Sequence, residues 1–224
     1  MTRTLLGLSA LALLGACTQT PPKPDAPAQA ASTAAIAGIP AGEYRADPAH
    51  SSLTFKVGHL GYSNFTASFD KIDAVVKLDP ANPAAAQVTA SVDPRSLDLP
   101  APPKGFHDEL MGAAFFDAAA HPKIEFVSSK VDMTGADTAK ITGNLTMRGV
   151  TRPVTFDATF NGGYPGFAMD PQARVGFSLT GRIKRSDFGM SAGIPAPGSD
   201  MGVTDEVDIA IETELLGPPL KPQG

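Results

Sequence analysis

Apolar side chains recur at every second position through most of the chain from residue 53 to residue 215, which is the spacing of half-buried strands. Leu53, Phe55 and Val57 alternate with Ser52, Thr54 and Lys56. Phe65, Ala67 and Phe69 are followed by Ile72, Ala74, Val76 and Leu78. Apolar parity passes there from odd to even, so a β-bulge or sharp bend is predicted near Asp70-Lys71. Val88, Ala90 and Val92 predict a third strand, and Ile124, Phe126, Val131 and Met133 a fourth. Ile141, Leu145 and Met147 predict a fifth, and Val154, Phe156, Ala158 and Phe160 a sixth. In the seventh, Ala173, Val175, Phe177, Leu179 and Ile183 face inward, with Arg174, Ser178, Thr180 and Arg182 outward. Val203, Val207, Ile209, Ile211 and Leu215 complete an eighth. Eight strands with short turns fit an all-β, up-and-down antiparallel barrel, near the size at which a barrel fills with side chains or holds one small ligand.

The stretch from Asp93 to Pro122, between the third and fourth strands, breaks the alternation. Pro94, Pro100, Pro102 and Pro103 resist helix, whereas Lys104 to Ala120 suits one or two short helices ended by Pro122. This insertion is expected to cap one end of the barrel. From Thr18 to about Gly42 the chain is Pro, Ala, Gln, Ser and Thr, a tether of ~24 residues that reaches ~75 Å extended and ~27 Å as a coil. The barrel domain is expected over residues 43–216 and a disordered, Pro-rich tail over 217–224.

Arg3 followed by the apolar run Leu5 to Leu14 has the form of a signal peptide over residues 1–16, since about ten residues cannot cross a bilayer. Leu14-Gly15-Ala16-Cys17 resembles the lipobox of bacterial lipoproteins, which implies cleavage before Cys17 and its acylation. The expectation is a mature protein in the periplasm, anchored by lipidated Cys17 with the outer membrane favoured. Cys17 is the single cysteine of the chain, so the mature domain has no disulfide, thiolate metal site or Cys nucleophile. Net charge is −5, and −6 once Arg3 is removed, which leaves no basic footprint for nucleic acid. No Ser elbow, paired-carboxylate motif or Gly-rich phosphate loop is present, and the reading is of a protein that is not an enzyme and has no cofactor.

Several motifs, in order, resemble the YceI-like family. The stretch Tyr44 to Gly61 (YRADPAHSSLTFKVGHLG) looks like its opening motif, and His107-Asp108-Glu109-Leu110 with Phe115-Phe116-Asp117 and His121-Pro122 is similar to its central helical motif. Gly143 to Val154 (GNLTMRGVTRPV) matches its hairpin G-x-L-T-x-x-G-V-T-x-P-V. Arg185-Ser186-Asp187-Phe188-Gly189 matches a fourth motif, and Thr204-Asp205-Glu206-Val207 opens the usual last strand. This chain departs from the pattern at Thr66-Ala67-Ser68, at Lys184 and in the Pro-rich stretch Leu97 to Pro103. The resemblance implies a lipocalin-like barrel whose apolar tunnel binds a polyisoprenoid or other long-chain lipid, such as a polyprenyl phosphate or isoprenoid quinone.

The candidate ligand contacts are accordingly Phe55, Phe65, Phe69, Phe115, Phe116, Phe126 and Phe177, each of which has simple core packing as its alternative. Phe156 and Phe160 belong to the same apolar set. His50 and His59, placed at the two ends of the first strand, either bond backbone groups or meet a polar head group. With His107 and His121 they lack the spacing of a metal site. Arg185 and Asp187 either lock a turn as an ion pair or present cationic hydrogen bonds to a phosphate. Arg148 belongs to a hairpin turn with its charge in solvent. The rival reading is an envelope lipoprotein with a filled core whose loops engage a partner. Pairing of two barrels into a homodimer is compatible with either.

Overall fold

The computed structural model describes residues 38–220. The signal-like leader, Cys17, nearly all of the tether and the last four residues lie outside them. The strands are β1 (Gly42–His59), β2 (Ser63–Phe69), β3 (Ile72–Leu78), β4 (Gln87–Val92), β5 (Leu97–Asp98), β6 (Ile124–Met133), β7 (Thr138–Met147), β8 (Val150–Tyr164), β9 (Gln172–Lys184) and β10 (Val203–Pro219). One α-helix, α1 (Phe106–Met111), lies in the insertion.

Antiparallel pairing runs from β1 through β3, β4, β6, β7, β8 and β9 to β10, which pairs back with β1 and closes the barrel. β2 and β3 form one broken strand. β2 pairs with Leu53–His59 of β1, and β3 with Gly42–Arg45. Eight strands therefore surround the lumen. The break falls at Asp70-Lys71, where both backbone amides turn towards Ser96, Asp70 N donating to its carbonyl at 3.0 Å and Lys71 N to its hydroxyl at 3.0 Å.

A larger irregularity lies in β1. Ala46 stands opposite Leu215 and Ser51 opposite Thr213, so residues 47–50 of β1 face the single residue 214 of β10. This bulge moves the inward positions from Tyr44 and Ala46 to Ser51, Leu53, Phe55 and Val57. The first strand thus begins at Gly42, and His50 lies inside it rather than at its end. A one-residue bulge at Ser129 similarly reconciles Phe126 with Val131 in β6.

The barrel also reaches slightly past the expected limits of 43 and 216. Ile39 is buried against Tyr44, Val76, Ala173, Val175 and Leu215. β10 continues to Pro219, opposite Gln172, and the Tyr44 ring occupies the space above Gly217. Pro218 and Pro219 are tolerated because they end the strand. The insertion packs Phe106, Leu110, Met111 and Phe116 against Phe69, Val92, Leu97 and Leu99, which covers the end where β1 stops and β10 starts. Phe188 and Met190, from the segment after β9, close the same end together with Phe115 and Met147.

Candidate functional site

The inward side chains enclose a cavity of about 300 Å³ along the barrel. Its wall is built from Leu53, Phe55 and Val57 on β1, Val88 and Ala90 on β4, Phe126 on β6, Leu145 on β7, Phe156 and Ala158 on β8, Phe177 and Leu179 on β9, and Ile209 and Ile211 on β10. The inward positions of β10, from Val207 to Leu215, span about 27 Å of strand and about 20 Å along the axis after tilt. Phe126 and Phe156 meet edge to face at 5.5 Å. Two inward glycines make room for them. A Cβ on Gly181 would fall on the Phe156 ring, and one on Gly143 on the Phe126 ring and the Val127 carbonyl.

The two ends of the cavity differ. At the covered end its lining residues Met147, Arg185, Met190 and Val207 are buried, whereas at the other end Met133, Ala136 and Asp137 are exposed. The lumen is thus closed by the insertion and opens beside the β6–β7 turn and the β3–β4 connection, where Pro83 and Ala86 join the lining. Towards the open end, the hydroxyls of Ser51 and Thr213 lie 2.7 Å apart and bond one another, so the polar pair that the bulge turns inward is internally satisfied.

A chain that builds this barrel can be placed among known proteins. Residues 44–215 match the model of the YceI-like domain. A UPF0312 protein of Pseudomonas putida strain GB-1 is 38% identical over 176 residues, covering 77% of this chain and 86% of the relative. The chain belongs to the YceI-like family. Among solved structures, BcnA of Burkholderia cenocepacia matches this YceI-like chain with a TM-score of 0.62 and 29% identity, over 75% of this chain and 98% of that one. A polyisoprenoid binding domain from Saccharophagus degradans has the same fold, with a TM-score of 0.57 and 14% identity over 80% of this chain and all of its own.

Within the YceI-like barrel the aromatic candidates divide. Phe55, Phe69, Phe116, Phe126 and Phe177 line the cavity. Phe65 and Phe115 pack behind the wall, Phe65 in the cluster around Ala67, Phe69 and Leu97, and Phe115 beside Met147, Phe188 and Met190. Both stand at the covered end, where the insertion fills the space a ligand would need.

The polar candidates are mostly outside the lumen. His50 is exposed on the bulge, its Nδ1 2.9 Å from the Asp47 carboxylate. His59 ends β1, exposed at the covered end. Asp187 is exposed in a single 3-10 turn, Ser186–Phe188, and is not the partner of Arg185. Arg185 is buried and donates to three backbone carbonyls: Nε to Thr204 at 3.0 Å, Nη1 to Ala192 at 3.1 Å and Nη2 to Val203 at 2.8 Å. The carboxylate at this corner is Asp205, which accepts from the Ser186 amide at 2.8 Å and hydroxyl at 2.7 Å. Burial lowers the Arg185 pKa.

Two groups that alternation does not reveal hold the site in shape. Arg148, in the β7–β8 turn, reaches back to the carbonyls of Ala113, at 2.8 Å, and Phe115 in the insertion. Its charge is therefore not simply solvated. Arg174 on β9 gathers Asp47 at 2.8 Å, Glu214 at 2.9 Å, Asp170 at 3.4 Å and the Tyr164 hydroxyl at 3.0 Å around the β1 bulge. His50, first, and then Arg174 hold the Asp47 carboxyl down at about 2. Arg174 was legible only as an outward position. Its contact with Asp47 reaches across β10, which lies between β9 and β1, and follows no periodicity.

Proposed function

We propose that the protein binds one long-chain apolar lipid, of the polyisoprenoid class, in the barrel lumen and carries or stores it in the cell envelope, anchored through an acylated Cys17. The observation that carries this reading is the elongated cavity, walled by aliphatic and phenylalanine side chains, closed by the insertion and open at the far end. A chain-shaped ligand needs continuous apolar walls and few polar anchors. A filled core, the rival reading, would leave no such cavity. The polyisoprenoid binding domain that shares the fold makes this lipid class the first to test. The tail would lie towards Phe116 and the head group would emerge beside Asp137.

The test is organic extraction and native mass spectrometry of the purified protein, followed by uptake of a polyprenol or a quinone. The expected result is one bound lipid per chain. Ala158→Trp should abolish uptake, because Ala158 lines the cavity between Ala139 and Leu179 and a bulky ring there fills it. Absence of lipid and of uptake in the unaltered protein would sink the reading.

A further inference from the structure

Most exposed large apolar side chains gather at the two ends of the barrel: Tyr62 and Met201 stand singly at the covered end, whereas those at the other end are held together by contacts. Phe167, at 51% exposure, and Met169, at 91%, form the tip of the β8–β9 hairpin, and Leu220, at 42%, lies against it. Leu220 N donates to Pro171 O at 2.7 Å and its side chain abuts Gly166, while the Phe167 ring lies tilted against Tyr164 with centroids 5.7 Å apart. The turn is thus a built apolar knob held by backbone bonds between Phe167 and Asp170 at 2.8 and 3.1 Å. Met133, exposed at the cavity mouth, stands at the same end of the barrel. A soluble surface rarely groups such residues without a partner.

We propose that this open end docks on a lipid bilayer, with Phe167, Met169 and Leu220 inserted among the acyl chains. Three features point to a membrane as the occupant. Gly38 and Ile39 lie at this end, Ile39 packed against Tyr44 and Leu215, so the segment that joins the domain to Cys17 enters the barrel from this face. Twenty residues separate Cys17 from Gly38, and as a flexible coil they would average about 25 Å, which would keep this end nearer the anchor than the covered one. The cavity also opens here, so docking places the lumen mouth against the hydrocarbon phase. The inference rests on the proposed lipid-binding reading for its purpose and for the uptake rate below, but not for the quenching test.

Among the described residues at this end, Arg45 pairs with Glu43 at 2.5 Å, Lys130 with Asp132 at 2.7 Å and Arg174 with three carboxylates, and the single unpaired Lys77 is offset by Asp79 and Asp137. The described surface here carries no net cationic field, so docking should be as strong on zwitterionic as on anionic vesicles. The chain contains no tryptophan, which provides a direct probe. In the full chain, M169W places a lone indole at the knob and Y62W one at the covered end, both at exposed positions that tolerate the change. With vesicles of brominated phosphatidylcholine, M169W fluorescence should shift blue and be quenched, with the indole about 5–10 Å into the interface. Y62W should remain unquenched. Equal quenching at both sites, quenching at Y62W alone, or none at M169W overturns the proposal. A double change, F167S with M169S, should slow lipid uptake from vesicles about ten-fold with equilibrium lipid content unchanged. An unchanged rate also overturns it. Lipid content, read by extraction, reports separately on whether the lumen binds lipid at all.

Discussion

Arg185 brings a guanidinium into the wall of an apolar lumen and anchors it with carbonyls rather than with a carboxylate. Its hydrogen bonds tie the end of β9 to Val203 and Thr204 of β10 and to Ala192 in the covering segment. Replacing it with Met roughly keeps the volume and removes the donors of three part-buried carbonyls. We expect Arg185→Met to cost about 2–4 kcal/mol in urea denaturation, and a loss near zero would show that water replaces the donors. Asp47 makes a different kind of contribution. Its folded pKa of about 2 lies below the unfolded value near 4. The stabilisation is therefore complete above about pH 4 and is lost as pH falls towards 2. Because the cluster is partly solvated, about 1 kcal/mol is the appropriate scale. Asp47→Asn should melt lower than the parent at pH 7 and converge with it near pH 2. Parallel melting curves over that window would show that the cluster contributes nothing.

At the scale of elements, the insertion is held less by its short helix than by guanidinium groups that reach into it. Arg148 and Gly149 form a two-residue hairpin turn with φ of 52° and 71°. This geometry suits the strand twist and aims Arg148 at the insertion. Arg95 donates to the Ala118 carbonyl from the other side. Arg148→Ala should therefore raise hydrogen exchange over residues 104–122 by about ten-fold or more while β6 to β9 stay protected. Uniform deprotection of the whole barrel would instead show that the insertion and the strands unfold together. These contacts also mark the boundary of what alternation can reveal. Period two is visible wherever a strand presents large apolar groups to the lumen, as β9 does from Val175 to Ile183. It fails in the first half of β1, where the inward positions are the small Ala46 and the polar Ser51 and the bulge between them reverses parity. It fails again at Gly143 and Gly181, which face inward with no side chain to show it. An arginine that crosses from a turn to a segment 33 residues away follows no periodicity. For the same reason the aromatic lining was legible from Phe55, Phe126 and Phe177, while His50, His59 and Asp187 were placed by position along a strand and not by the direction the bulge and turns give them.

The whole molecule is closed by pairing its first strand with its last, so every strand borders the same cavity and shares its fate. A lipid in the lumen would touch side chains from β1, β3, β4, β6, β7, β8, β9 and β10 at once. Binding to the folded state alone adds about 2.7 kcal/mol at a hundred-fold excess over Kd. For a domain of this size that corresponds to a rise in Tm of about 5–10 °C. Because the wall is continuous, the gain should appear as slower exchange in all eight strands rather than in one hairpin. Delipidated protein should therefore melt lower as a single transition and recover its Tm when a polyprenol or quinone is added. Ala158→Trp should melt at one temperature with or without lipid, since its own ring fills the space. A delipidated protein that melts as high as the loaded one, or a rise confined to the β8–β9 hairpin, would place the lipid on the outer surface and leave the lumen without a ligand.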